Sequence, residues 1–370
     1  MDRLKDTTQE LLSLADVRIG GGRPWDITVH DQKFYQRALS QGSLGLGESY
    51  MDSWWDCQRL DEFFFRVLRA RLQSRVKKSP GLVYQVLLAR ITNRQSRKRV
   101  FEIGESHYDL GSLFEHMLDE RMVYSCAYWK EARTLDEAQE NKLELICRKV
   151  GLQAGMKVLD IGCGWGSLAR YAAEKHGAKV VGITVSKEQV EQGKRLCAGL
   201  PVEIRLQDYR DVSEKYDRVV SVGMFEHVGY KNYRTYMEVV HRCLKDDGLF
   251  LLHTIGGNKS VRSVDPWMNK YIFPNGMLPS VKQIGQAIEG LFVMEDWHNF
   301  SADYDRTLLE WHRNLEQHWD ALKSRYDDRF HRMWTYYLLS CAGAFRARGN
   351  QLWQIVLSKD GVLGGYHSLR

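Results

Sequence analysis

Val158-Leu159-Asp160-Ile161-Gly162-Cys163-Gly164-Trp165-Gly166 decides the fold. An apolar run gives way to three glycines at alternate positions, and an amphipathic helical pattern over 166–176 follows at once. Glycines at the end of a strand allow a tight turn into a helix and let the backbone approach a ligand closely. Working outward, β-branched runs at 179–184, 202–206, 217–223 and 248–254 join the strand at 156–161, and helical patterns at 187–198 and 232–244 separate them. This alternation predicts an α/β fold with a parallel, doubly wound sheet, helices on both faces and a ligand crevice at the carboxyl ends of the strands. Beyond 255, a loop-rich insertion (256–280) leads to a strand near 292–297, long helices over 305–347 and a last strand at 350–357, seven strands in all. Helical patterns at 107–118 and 135–150 precede the sheet. Residues 1–100 read as a smaller, mostly helical domain, with Gly42, Gly45 and Gly47 breaking the pattern, and 101–370 as the α/β domain.

Composition narrows the class. An apolar fraction of 44% and a charged fraction of 27% suit a globular domain. No apolar run approaches the roughly 18 residues that span a bilayer. The opening Met1-Asp2-Arg3-Leu4-Lys5-Asp6 has no apolar signal region, so a cytoplasmic protein is expected. The seven cysteines contain no Cys-x-x-Cys pair, which points to reduced thiols and to no bound metal. Net charge is +6, yet the segment 66–99 carries eleven Lys or Arg and no Asp or Glu, leaving the rest at about −5. A charge run is often only a solvated face. Here apolar residues recur at helical spacing through it (Leu60, Phe64, Val67, Leu68, Leu72; Val83, Val86, Leu87, Ile91). Basic amphipathic helices suit the surface of an anionic bilayer, and the same pattern also serves ordinary packing.

Two cofactor classes compete for the glycine turn. The dinucleotide fingerprint requires G-x-G-x-x-G and an acidic residue about 20 positions on. Here Ser167 stands where the third glycine belongs, and Val181-Gly182-Ile183-Thr184 ends without a carboxylate. D-x-G-x-G-x-G, with Asp160, Gly162, Gly164 and Gly166, instead resembles motif I of the class I S-adenosylmethionine methyltransferases, a Rossmann-like fold. That family usually closes its second strand with an acidic residue. The departure hands the ribose to neutral groups, with Thr184 and Gln189 as candidates, while Gln207-Asp208-Tyr209 resembles the adenine-binding segment.

Further motifs narrow the resemblance: His107-Tyr108-Asp109-Leu110, Tyr124-Ser125-Cys126-Ala127-Tyr128-Trp129, Met224-Phe225-Glu226-His227-Val228-Gly229, Leu252-His253-Thr254-Ile255, Tyr271-Ile272-Phe273-Pro274-Asn275-Gly276 and Cys341-Ala342-Gly343-Ala344-Phe345-Arg346. Together with Gly42-Ser43-Leu44-Gly45-Leu46-Gly47-Glu48-Ser49-Tyr50, they closely resemble the bacterial cyclopropane-fatty-acid-phospholipid synthases over about 30–357. The resemblance implies that a methylene group passes from S-adenosylmethionine to a cis double bond of a phospholipid acyl chain. It implies a bound bicarbonate ion as base, held by residues matching Cys126, Glu226, His253 and Tyr304, with the Ile255 backbone nearby. Tyr124 and Ser125 would touch the cofactor. Cys341 is a family site residue for which the chemistry offers no task, and Ser340-Cys341-Ala342-Gly343-Ala344 reads equally as close helix packing. A carboxylate beside an anion is unfavourable, so Glu226 is expected to share or orient a proton.

An isolated alkene is a poor nucleophile and needs the methyl donor held in line in a dry pocket. The carbocation that follows is best surrounded by aromatic faces, which stabilise charge without trapping it. The basic, apolar-interleaved segment 66–99 would dock the protein peripherally on the inner face of an anionic membrane; relatives acting on carrier-linked chains typically lack such a domain, which favours phospholipid, and the resemblance further implies a homodimer. Two other readings are a fatty-acyl methyltransferase giving a methyl-branched or methylene product and a nucleic-acid methyltransferase. The second lacks an Asn-Pro-Pro-Tyr-type motif, and no nucleic-acid partner is expected.

Overall fold

The structure is a computed structural model that describes residues 2–71 and 110–370. Most of the basic segment (72–99), the helical pattern around Val83–Ile91 and His107-Tyr108-Asp109 lie outside the described residues. The chain divides into two compact units, which interleave in sequence.

The first unit holds the N-terminal helices α1 (Asp2–Ser13), α2 (Lys33–Gln41), α3 (Ser43–Met51) and α4 (Leu60–Arg69), with a small antiparallel ribbon of β1 (Thr28–Val29) and β2 (Trp55–Asp56). It also takes 262–274 and 304–350, stretches that a boundary at residue 100 assigns to the α/β half. Its core is aromatic: Trp55 lies 5.3 Å from Phe63 and 5.2 Å from Tyr50, ring centre to ring centre. Gly45 and Gly47 do not break a helix, as their spacing suggests; they lie inside α3. A Cβ on Gly47 would strike the Trp267 indole, so the missing side chain makes room for a ring.

The second unit carries the sheet. After α5 (Gly111–Met117) and α6 (Leu135–Lys149) come β3 (Lys157–Ile161), α7 (Ser167–His176), β4 (Lys179–Thr184), α8 (Lys187–Leu196), β5 (Val202–Leu206), β6 (Tyr216–Val222), α9 (Tyr233–Cys243) and β7 (Leu244–Gly257). The insertion contains the short helix α10 (Pro266–Tyr271), which belongs to the first unit, and is followed by α11 (Val281–Ile288) and β8 (Val293–Asn299). The helices α12 (Ala302–Leu322) and α13 (Asp328–Arg346) precede β9 (Asn350–Ser358). Strand order is β5-β4-β3-β6-β7-β9-β8, parallel from β5 to β7, with β8 antiparallel to β9 at the edge. The expected seven-stranded, doubly wound sheet is therefore present.

Side-chain alternation explains why the strands are apolar throughout. Leu159, Ile161, Val181, Ile183, Phe250 and Leu252 pack on the face covered by α9 and α11, through Tyr236, Met237 and Ile284. Val158, Val180, Val220, Leu249 and Leu251 pack on the opposite face against α6 and α7, through Leu143, Ile146 and Ala169. A sheet buried on both faces leaves its strands no solvent side for polar residues. Among the described residues, no helix is long and apolar enough to cross a membrane.

Candidate functional site

The strand order turns at β3: the chain goes from β3 to β4 on one side and returns through β6 on the other. The crevice at such a switch point, beyond the carboxyl ends, is where open sheets take ligands. A cavity lies there, walled by the ends of β3, β4 and β6 and by 122–125. Gly162, Gly164 and Gly166 have φ of +79°, +56° and +84°, the left-handed region that side chains resist. The Gly162 and Cys163 amides donate to the Ile183 carbonyl at 2.9 and 3.0 Å, tying the turn to β4.

Of the residues expected at the cofactor, Tyr124, Ser125, Asp160, Gly162, Gly164, Thr184, Gln189, Gln207 and Tyr209 line this cavity. Thr184 Oγ1 donates to Gln189 Oε1 at 2.6 Å, pairing the two neutral ribose candidates. Gly166 instead starts α7, where a Cβ would come within 3.0 Å of Cys197 Sγ. Asp208 is turned to Arg210, which grips it with two side-chain bonds of 2.9 and 2.6 Å while the Arg210 amide donates a third at 2.9 Å. Neither of these two is among the lining residues.

Asp160 is buried, its Oδ2 has no hydrogen-bond partner among the described residues, and burial pushes its carboxyl up to about 7. The Trp165 indole N–H is likewise buried without a partner on the same wall. An open acceptor and an open donor in one cradle suit a zwitterionic amino-acid group beside a nucleoside, which is the shape of S-adenosylmethionine. The residues present fit it.

Sequence reasoning overlooked the opposite wall. α6 begins with a capping box, in which Thr134 Oγ1 accepts from the Glu137 amide at 3.2 Å and Glu137 returns to the Thr134 amide at 3.3 Å. That start sets the helix so that Leu135, Ala138, Gln139 and Lys142 all face inward and are buried. Two polar residues on an otherwise apolar stripe are the signal that marks them. Lys142 lines the cavity, and its Nζ donates to Ser125 Oγ at 2.9 Å. Burial lowers its pKa, against the pull of Asp119, Cys126 and Asp160.

A second polar group gathers at the ends of β6 and β7. Register places His253 beside Val222, and the Gly223 amide donates to the His253 carbonyl at 3.0 Å. Glu226 Oε1 accepts from the Ile255 amide at 2.6 Å, which brings two of the expected residues together. Its Oε2 is buried without a partner among the described residues. His253 Nδ1 faces Gln354 Nε2 at 3.3 Å, and its Nε2 is buried without a partner among the described residues. Burial holds this imidazole well below its ordinary pKa, so it is neutral. With Gln354 Nε2 as the donor to Nδ1, the neutral ring would carry its proton on Nε2; the opposite orientation of that amide reverses the tautomer. Cys126 is fully buried, its thiol donating to the Ala127 carbonyl at 3.2 Å.

Tyr304 and Cys341 belong to the other compact unit. Tyr304 packs its ring 4.6 Å from Phe345. Burial pushes the Cys341 thiol up to about 12, so it is no thiolate at neutral pH. The adjacent Gly343 admits α4: a Cβ there would sit 2.6 Å from the Asp61 carbonyl and 2.7 Å from Phe64.

Burial also pushes the Glu226 carboxyl up, to about 7 from the ordinary 4.5. The folded state thus holds this proton more tightly than the unfolded chain. Its contribution to stability is intact below pH 4.5 and is lost as pH rises to 7. Glu226→Gln removes the penalty and is expected to raise unfolding stability by up to ~3 kcal/mol at pH 8 and by nothing at pH 4. Urea unfolding at the two pH values checks this; a gain independent of pH contradicts it.

Comparison with known proteins adds a second line. Residues 95–355 match the model of the family described as mycolic acid cyclopropane synthetase. The cyclopropane-fatty-acyl-phospholipid synthase of Escherichia coli K12 is 56% identical over 98% of this chain and 94% of its own length. Among solved structures, the cyclopropane synthase MmaA2 of Mycobacterium tuberculosis superposes with a TM-score of 0.65 at 32% identity, covering 70% of this chain and 98% of that one. The mycolic acid cyclopropane synthase CmaA1, complexed with SAH and CTAB, matches with the same score, identity and coverage.

Proposed function

The chain belongs to the mycolic acid cyclopropane synthetase family, and from that premise we infer that it converts cis double bonds of phospholipid acyl chains into cyclopropane rings, using S-adenosylmethionine. The observation that carries this is the 56% identity, over 98% of this chain, with the cyclopropane-fatty-acyl-phospholipid synthase of Escherichia coli. The class I methyltransferase fold and the cavity at its switch point agree with it.

When bound, S-adenosylmethionine would supply an electrophilic methyl carbon for the alkene. The chain's own part is positional. The glycine turn would let the backbone reach the amino-acid end, Asp160 Oδ2 would accept from its ammonium, and the Thr184–Gln189 pair would meet the ribose hydroxyls. Asp208, engaged by Arg210, contributes by shaping the turn after β5 rather than through an open carboxylate.

Ring closure needs a base for a proton of the transferred methyl, and bicarbonate supplies that chemistry when bound. Glu226 and His253 suit such an ion: each presents a buried, unsatisfied polar atom. In the tautomer protonated at Nε2, His253 would donate to the ion, and Glu226, with its pKa near neutrality, would donate from Oε2 when protonated. The Ile255 amide, already given to Glu226, fixes that carboxyl rather than facing the ion. Cys126, in the same unit, completes the set proposed there; Tyr304 rests on the resemblance alone, and Cys341 is assigned to helix packing. Of the eleven cations of 66–99, Arg66 is paired with Asp16 and Glu62; the others would dock the enzyme, as a dimer, on the cytoplasmic membrane face, at about 1 kcal/mol per near-surface cation.

Incubation with labelled S-adenosylmethionine and vesicles of monounsaturated phospholipid, with and without anionic lipid, tests the reading. High-field cyclopropane proton signals are expected, with faster turnover on anionic vesicles. Methyl-branched or methylene signals would move the chain to the methyltransferase alternative. Cofactor binding without any lipid product would remove the substrate assignment.

A further inference from the structure

Nothing in the expected cofactor set accounts for Lys142. It is fully buried, an expensive place for an ammonium, and it stands on the cavity wall. Gln139, one turn earlier on the same face of α6, donates to the Ser125 carbonyl at 2.9 Å and the Val123 carbonyl at 3.2 Å. Lys142 donates to the hydroxyl of the same serine at 2.9 Å. Asp119 secures the start of the segment, accepting from the amides of Arg121 at 3.0 Å and Val123 at 2.9 Å. Ser125 is therefore held at both its carbonyl and its side chain.

The hydroxyl bond has a direction. An ammonium carries three donors and no acceptor, so Ser125 Oγ must be the acceptor and its own proton must point elsewhere. Ser125 lines the cavity. Resting on the cofactor reading above, we propose that Lys142 is a positioning residue for the amino-acid end of S-adenosylmethionine: it turns the Ser125 hydroxyl into an obligate donor toward the cofactor's carboxylate. A serine alone could rotate its proton either way and would discriminate poorly between an acceptor and a donor. With Lys142 behind it, the site prefers an anion. Asp160, on β3 and with an Oδ2 open among the described residues, would take the ammonium. The two ends of the zwitterion are thereby told apart.

Binding calorimetry with two ligands separates this role from a merely structural one. S-Adenosylhomocysteine carries the amino-acid group, and 5′-methylthioadenosine has the same nucleoside and sulfur without it. Lys142→Met is expected to weaken S-adenosylhomocysteine roughly 10- to 100-fold, the range of a lost charge-assisted bond, and to leave 5′-methylthioadenosine unchanged. Ser125→Ala should show the same selectivity, and the double variant should lose little more than either single one, since the two act in series. Lys142→Arg, which keeps a cationic donor, should recover part of the loss. Equal weakening of both ligands, or none, in Lys142→Met overturns the proposal. Should that variant fail to fold, equal weakening by Ser125→Ala overturns it on its own, and selective weakening there with partial loss in Lys142→Arg supports it. A wild-type chain that binds neither ligand would remove the cofactor reading as well.

Discussion

Replacing His253 by alanine is expected to lower kcat by about 10²- to 10⁴-fold, the usual worth of a positioned proton-transfer group, while S-adenosylhomocysteine still binds with near wild-type affinity. The separation follows from geometry. His253 lies at the end of β7 beside β6, and neither it nor Glu226 is among the residues that line the cofactor cavity. Its Nε2 is buried without a partner among the described residues, and a buried polar atom left open is costly unless a ligand takes it. Glu226→Gln is expected to act in the same direction. It keeps the shape and the acceptor for the Ile255 amide but loses the proton that a carboxyl near its pKa can share. The stability gain of Glu226→Gln at pH 8 alongside lost turnover would mark a site that sacrifices stability for chemistry. Single-turnover assays with calorimetric binding check both variants. A Michaelis constant that rises while kcat holds would place these residues in binding instead.

Gly162→Ala is expected to weaken S-adenosylhomocysteine by about 100-fold or more. An alanine at φ +79° is strained, by about 1–2 kcal/mol. Its Cβ would also lie 2.6 Å from both Cβ and Cγ of Met224, at the root of that side chain, where rotation cannot clear it. Overpacking of this kind adds about 1–3 kcal/mol. The turn can relax only by giving up its bonds to the Ile183 carbonyl, and those bonds hold the cradle. The penalty therefore falls on binding more than on the fold. Calorimetry and thermal unfolding together test this; binding within a few-fold of wild type would show that the turn does not need Gly162.

Much of the second unit was legible because its signals are local. The strands at 179–184 and 202–206 and the helix from 167 follow from apolar runs and glycine punctuation that a dozen residues contain. Gly45 and Gly47 show where local reading stops. Their spacing looked like a break, and only the ring of Trp267, more than 200 positions away, explains one of them. The joining of 304–350 to the N-terminal helices was equally hidden, since Gly343 reads the same whichever helix it meets.

The same division runs through the site. The order of strands and the glycine turn pointed to a ligand crevice at β3, where the cavity lies, because backbone conformation depends on neighbours in the chain. The partners of polar side chains depend on neighbours in space. Asp208 had the right position for a cofactor contact, yet Arg210 takes its carboxylate. Lys142 and Ser125 are 17 positions apart and Glu226 and Ile255 are 29 apart. Neither pair leaves a trace in spacing. Burial gives these contacts their meaning, since an ammonium or carboxyl removed from water must find a partner or change its charge, and burial exists only once the helices have closed over the sheet.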